Sequence, residues 1–243
     1  MMMMMMNDKE NKKKRGGGKR RKRPVKELKI PAPVFVLSLP KSGTTSLYSY
    51  FNCGGISSSH TYVKNNQGKI IRLGQCMQKN FLANRPILDN CGPQTKVFTD
   101  IGHVGDGKSS CFYPSLQAVD AIVRDYPNST IIVSYRSGWH ESIQKFNNLR
   151  NRWRHGCDIF PNSKDPDEWE EFYVQHRRRI RQAVASHPTI RYLEFDLKDP
   201  TAGMQLQNFT GISHECWANC KPNMRCKHDT PFVARATSNT TTL

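Results

Sequence analysis

Short apolar runs alternate with amphipathic segments from about residue 33 onward, and this alternation predicts the secondary structure. Four runs have the length and composition of buried strands, at residues 34–37, 96–100, 130–135 and 190–195. Helices are predicted after residue 43, over 113–125, from near 138 and over 167–186. Strands separated by helices indicate an α/β fold, with a central, mostly parallel sheet in a three-layer α/β/α arrangement.

The first 29 residues differ from the rest because they contain almost nothing apolar. They hold twelve Lys or Arg against three acidic residues, and such a segment cannot bury enough surface to fold. We therefore divide the chain into a disordered basic tail, 1–29, and one folded domain, 30–243. The tail is interpreted as a solvated extension, with a nuclear-localisation or nucleic-acid-binding arm as the open alternative.

Charge and targeting signals narrow the function classes only a little. The formal net charge is +17, of which the tail supplies +9, and a basic body suits a polyanionic ligand. No apolar run is long enough to span a bilayer, and no signal peptide is recognisable. We expect a soluble chain. The sequence opens on six methionines, which allows a misplaced start and a missing N-terminal anchor. With such an anchor the expected compartment is the Golgi lumen, and without one it is the cytoplasm.

Eight cysteines and three Asn-x-Ser/Thr sequons, at Asn128, Asn208 and Asn239, favour an oxidising lumen. The C-terminal group of Cys216, Cys220, Cys226 and His228 allows a zinc site, but its spacing matches no standard finger. A disulfide or free thiols are the preferred interpretation there.

The segment Leu39–Ser46, with the sequence LPKSGTTS, joins the first predicted strand to its helix. It places a lysine, a glycine and several hydroxyls where backbone N–H groups converge at a helix N-terminus, which is a phosphate-binding geometry. A Walker A loop would have its lysine after the last glycine, whereas Lys41 precedes Gly43. An ordinary Mg-NTP loop is therefore disfavoured.

A second phosphate-binding segment is predicted where the strand 130–135 ends. Arg136 emerges there, at the edge where ligands bind in open α/β sheets, and a guanidinium can hold a phosphate through two hydrogen bonds. Ser142 follows six residues later on the predicted helix.

These two segments, in this order, resemble the donor-binding motifs of P-loop sulfotransferases, which use 3′-phosphoadenosine 5′-phosphosulfate (PAPS) and release its desulfated product PAP. The resemblance implies that the 5′-phosphosulfate is bound by Lys41, Ser42, Gly43, Thr44, Thr45 and Ser46, with Lys41 also catalytic at the leaving oxygens. Arg136 and Ser142 would hold the 3′-phosphate. The family usually separates these two residues by eight positions, so Ser137 is an alternative to Ser142. No metal is required in this family.

The resemblance also implies a general base near the end of the strand that lies between the two segments. Asp100 stands at that predicted strand end, and His103 follows it in a Gly-rich loop. We expect Asp100 ahead of His103 as the base, with His60 as a weaker candidate.

The acceptor cannot be identified from these residues, and a hydroxyl or amine on a carbohydrate, a tyrosyl protein or a small alcohol remains open. The loops at about 54–95 and 147–168 are expected to form its pocket. The expected partners are PAPS or PAP and this acceptor, without nucleic acid for the folded domain. The alternatives are a kinase-like P-loop nucleotide-binding protein, a catalytically weak PAPS-binding homologue and a nucleic-acid-binding module.

Overall fold

A computed structural model describes residues 28–105, 111–145 and 157–218. Its seven strands and eight helices in these ranges are β1 Val34–Val36, α1 Thr44–Cys53, β2 Ser58–His60, β3 Tyr62–Lys64, β4 Ile70–Arg72, α2 Leu73–Leu82, β5 Val97–Thr99, α3 Pro114–Gln117, α4 Val119–Asp125, β6 Thr130–Tyr135, α5 Trp139–Gln144, α6 Pro166–Ala185, β7 Arg191–Asp196, α7 Ala202–Thr210 and α8 Glu215–Ala218.

The strands form one sheet in the order β4-β3-β2-β5-β1-β6-β7. Five neighbouring strands, from β2 to β7 in that order, are parallel, and β3 and β4 add an antiparallel hairpin at one side. Because parallel strands share one carboxyl edge, the segments that follow β1, β2, β5, β6 and β7 all begin at that edge. The α/β fold with a mostly parallel sheet is thus confirmed.

Both faces of the sheet are covered, so the central strands are buried and mostly apolar, and their few hydroxyl residues, Thr99, Thr130 and Ser134, are buried as well. On β6, Ile131 and Val133 face the helices α2, α4 and α6, while Ile132 faces α1, α7 and α8. Alternate strand residues point to opposite faces, so both faces of this strand are buried.

Three parts of the sequence differ in detail from the expectation. The predicted helix 113–125 is two helices, which meet at Ala118, whose φ of −132° lies outside the helical range. Residues 54–95 were expected to be loop, but they contain three strands and α2. The body also begins earlier than residue 30, since the N–H of Lys29 donates to the carbonyl of Thr210 (3.2 Å).

Three disulfides connect distant parts of the described chain. They join Cys53 to Cys216, Cys76 to Cys91 and Cys111 to Cys157. Cys216 is therefore removed from the zinc ligand set considered above, whose other members lie outside the described residues. No described helix is long and apolar enough to cross a membrane.

Loss of the Cys53–Cys216 disulfide should destabilise the fold by about 2–4 kcal/mol, since it closes a loop of 163 residues and so restricts the unfolded chain. Urea unfolding of Cys53→Ser/Cys216→Ser checks this. A free energy of unfolding equal to that of the wild type would contradict it. The Cys76→Ser/Cys91→Ser variant, which opens a loop of 15 residues, is the control and should lose less.

Candidate functional site

The Lys41 segment, Leu39–Ser46, turns sharply between β1 and α1. Lys41 has a φ of 66° and Gly43, the residue before α1, has a φ of 86°. A Cβ on Gly43 would lie 2.5 Å from a methyl carbon of Leu197. The backbone angle therefore favours glycine here, and any larger residue would also have to displace the Leu197 side chain. The segment brings the N–H groups of the first turn of α1 to the carboxyl edge, with no acidic residue in that turn.

Buried serines fasten this segment to the neighbouring strand. The Ser134 hydroxyl on β6 donates to the carbonyl of Ser42, and the Ser134 N–H donates to the Ser38 hydroxyl (2.8 Å). Both side chains are buried, where an unpaired hydroxyl would cost free energy. These bonds fix the Lys41 segment to the strand that leads into Arg136.

Tyr173 of α6 connects the two predicted phosphate segments directly. Its hydroxyl lies 2.6 Å from the Ser42 hydroxyl and accepts from the backbone N–H of Arg136 at 3.2 Å. The ring stacks on Trp139, whose indole N–H donates to the carbonyl of Pro40 (2.8 Å). Burial raises the pKa of Tyr173, so the hydroxyl stays protonated and can serve as donor and acceptor together.

Arg136 lies where the two segments meet. One terminal guanidinium nitrogen contacts the carbonyl of Lys41 at 3.4 Å. Its Nε is buried and has no hydrogen-bond partner among the described residues. A buried cationic donor without a partner is costly, and an anionic oxygen would satisfy it.

The two serine candidates near Arg136 are placed differently. Ser137 is exposed directly after Arg136, and its hydroxyl accepts from the ammonium of Lys198 (3.2 Å), which follows β7. Ser142 is half-buried within α5. The structure thus brings Arg136, Ser137 and Lys198 to adjacent strand ends, and Lys198 has no counterpart in the sequence-based prediction.

A second polar group surrounds Asp100 at the end of β5. The Thr61 hydroxyl donates to Asp100 (2.8 Å) and lies 3.3 Å from Nδ1 of His60. The other ring nitrogen, Nε2, lies 3.1 Å from the Thr45 hydroxyl and 3.7 Å from Asp100. Since the Thr61 hydrogen goes to Asp100, its oxygen accepts from Nδ1–H. The network therefore assigns the basic lone pair of His60 to Nε2.

Backbone strain accompanies this group. Thr61 and Asp100 have φ values of 69° and 48°. The left-handed region is tolerated by Asp but is unfavourable for a β-branched Thr. Such strain is retained where surrounding contacts fix it, often at functional sites.

Burial and charge oppose each other at this group. Burial lowers the pKa of His60, and the Asp100 carboxylate partly offsets this. Burial likewise lowers the pKa of Lys41, and the Asp100 carboxylate again acts in the opposite direction by favouring the charged form. His60 is therefore neutral near pH 7, and Lys41, His60 and Asp100 share one electrostatic environment.

His103 occupies a different environment from these residues. Its backbone forms a β-bridge with Phe112, with N···O distances of 2.7 and 2.8 Å. The side chain is buried, and its Cβ packs against Gly74 of α2. Of the three base candidates, the structure gathers Asp100 and His60 beside the Lys41 segment. No group of side chains suited to holding a metal occurs among the described residues.

Sequence reasoning did not identify Tyr173, Ser134, Thr61 or Lys198. Ser134 gave a signal, as a hydroxyl inside an otherwise apolar strand. Tyr173 gave none, because it is one aromatic residue among several on a long amphipathic helix.

The Tyr173→Phe variant should lose about 1–3 kcal/mol of stability, because two buried polar groups lose their partner, and should bind PAP more weakly. Tyr50→Phe is a matched control, since the Tyr50 hydroxyl is also buried and bonds Thr210 and Ile212 on the other face of the sheet. Urea unfolding should show comparable losses in both variants, while titration should show weakened PAP binding only in Tyr173→Phe. Equal PAP affinity in the two variants would contradict a role in positioning the segments.

No family model, curated protein or solved structure matches the chain, so the interpretation of this site rests on its own residues and geometry.

Proposed function

We propose that the chain is a sulfotransferase that moves a sulfuryl group from PAPS to a hydroxyl or amine acceptor. The observation that carries the proposal is the meeting of the Lys41 segment and Arg136 at one sheet edge, both bound to Tyr173. A donor with phosphates at both ends of its ribose needs two anion sites held at a fixed separation. A shared buried hydroxyl provides that rigidity.

The residues present fit such a donor. The N-terminus of α1 and Lys41 would hold the 5′-phosphosulfate, and Arg136, whose Nε has no partner among the described residues, would hold the 3′-phosphate. Ser137 and Lys198 extend the second site at the neighbouring strand end. Lys41 then stabilises the charge that develops on the leaving phosphate oxygen.

The acceptor proton has two candidate destinations, and we infer that it goes to Nε2 of His60. This nitrogen has the lone pair, and Asp100 acts through Thr61 to hold the ring in that tautomer. The acceptor oxygen forms its bond to sulfur as the sulfur–phosphate oxygen bond breaks. The proton moves to His60, and PAP leaves. Asp100 as the base itself is the competing assignment.

The three disulfides support a further part of the proposal, which is an oxidising compartment such as the Golgi lumen. Asn128 and Asn208 of the sequons are exposed, as glycosylation at these positions would require. Asn239 lies outside the described residues.

Titration calorimetry of the full chain with PAP tests the donor site. Wild type should bind PAP, and Lys41→Ala and Arg136→Ala should each weaken binding about ten- to a hundredfold, the value of a charge-assisted hydrogen bond. Lys96→Ala and Arg178→Ala, which remove exposed cations elsewhere, should bind as wild type. Absence of PAP binding, or a preference for ATP with magnesium, would contradict the sulfotransferase proposal and favour a kinase-like protein. PAP binding without sulfuryl transfer to any acceptor would indicate a catalytically weak homologue.

The pH dependence of the transfer rate separates the two bases. A neutral His60 is required for catalysis, so the rate should fall as the pH drops through a pKa that burial places below the ordinary 6.5. Asp100→Asn removes the carboxylate that raises this pKa, so the acidic limb should move to lower pH.

The His60→Asn variant should keep its PAP affinity and lose about 10²–10⁴ in kcat. If Asp100→Asn instead abolishes the rate while His60→Asn leaves it intact, Asp100 is the base.

A further inference from the structure

The hairpin of β3 and β4, residues 61–72, presents one exposed face next to His60. Tyr62 pairs with Arg72, and Lys64 pairs with Ile70. Directly opposed residues of an antiparallel pair share a face, as do alternate residues of one strand. All four side chains therefore lie on one face, and all four are exposed. Val63, on the other face, is buried.

This face carries two cations, Lys64 and Arg72, and the hairpin as a whole is basic. Residues 61–72 contain Lys64, Lys69 and Arg72 and no acidic residue, so the hairpin has a net charge of +3. Tyr62, with half of its surface exposed, adds an aromatic ring between the cations and the base candidates. Exposed cations beside an amphipathic ring form a surface that favours an anionic partner with apolar patches.

The hairpin is also held rigidly. The Asn65 side chain accepts from the N–H groups of Gln67 and Lys69 and so closes the turn. The N–H of Asn66 donates to the Asn90 side chain, and the Cys76–Cys91 disulfide joins α2 to the same loop. A surface that is ordered before binding loses less entropy when it binds.

The position of the hairpin links it to the chemistry. β2 ends at His60, and β3 begins at Tyr62 and runs antiparallel to it, so Tyr62 and Arg72 lie at the carboxyl edge. Lys64 lies two residues farther along the strand, about 7 Å away. A polyanionic ligand on this face would place two of its anionic groups on Arg72 and Lys64. A neighbouring group of the same ligand would then reach Nε2 of His60.

We propose that this face binds the acceptor, and that the acceptor is an anionic polysaccharide bearing carboxylate or sulfate groups. The inference rests on the sulfotransferase proposal for its catalytic part. A sugar ring can lie with its apolar face on Tyr62 while its anionic groups meet Arg72 and Lys64. An acidic peptide strand would instead pair with the backbone edge of β4 and leave this side-chain face uncovered.

Calorimetry of the full chain with a heparin hexasaccharide tests the surface. Lys64→Gln/Arg72→Gln should weaken binding about tenfold, as expected for two exposed charge contacts. Lys96→Gln/Arg178→Gln removes the same charge elsewhere and keeps the basic tail, so its affinity should change less than twofold. Equal affinities in the two double variants would overturn the proposal.

A hexaglutamate peptide and a Tyr62→Ser variant test the class of acceptor. Tyr62→Ser should weaken hexasaccharide binding about threefold. Hexaglutamate binding that equals the hexasaccharide in affinity and is lost in Lys64→Gln/Arg72→Gln would overturn the polysaccharide assignment in favour of an acidic protein.

PAP titration of the same proteins separates this proposal from the sulfotransferase proposal. The hairpin variant should bind PAP as wild type does. Hexasaccharide binding that depends on the hairpin in a protein without PAP affinity would uphold the surface and defeat the sulfotransferase proposal. PAP binding, together with a hexasaccharide affinity that the hairpin variant leaves unchanged, would uphold the sulfotransferase proposal and defeat the acceptor surface.

Discussion

One buried hydroxyl contacts both halves of the candidate site. Tyr173 contributes a single oxygen that contacts Ser42 on one side and the N–H of Arg136 on the other. These residues are 94 positions apart in the chain and follow adjacent strands, β1 and β6. Backbone pairing alone would align the strands and leave the loops beyond them free to move. The tyrosine extends the alignment past the sheet edge because its ring is fixed by Trp139 and its hydroxyl is shielded from water.

The electrostatics of the edge follow from partial burial. Removing Lys41 and His60 from water disfavours their charged forms, whereas Asp100 favours them. The balance differs between the two because a lysine begins with a pKa far above neutrality and a histidine close to it. Lys41 therefore stays cationic and His60 stays neutral at pH 7. One environment thereby holds a cation and a neutral imidazole close to the same carboxylate.

The sequence predicted the sheet core well and the site only in part. β6 and α6 were recognisable because an apolar strand and a long amphipathic helix have distinct periods. β2, with the residues Ser58, Ser59 and His60, has neither period. It is a strand because β5 pairs with it on one side, and a local pattern cannot show a contact between positions that are 39 residues apart. For the same reason the local pattern did not identify Thr61 and Tyr173. Their hydrogen-bond partners, Asp100 for Thr61 and Ser42 and Arg136 for Tyr173, lie far away in the chain.

The unpredicted strands change what the site can do. If residues 54–95 were loop, as the sequence indicated, the surface beside His60 would have no fixed shape, and its cations would be a solvated charge run. The pairing of β3 with β4 instead places Lys64 and Arg72 on one face, and the buried Val63 on the other face anchors it. Charge that is ordered in this way can discriminate between anionic ligands of different shape, whereas the same charge on an unordered segment can only attract anions. The fixed shape of this surface therefore depends on secondary structure that the local sequence pattern does not predict.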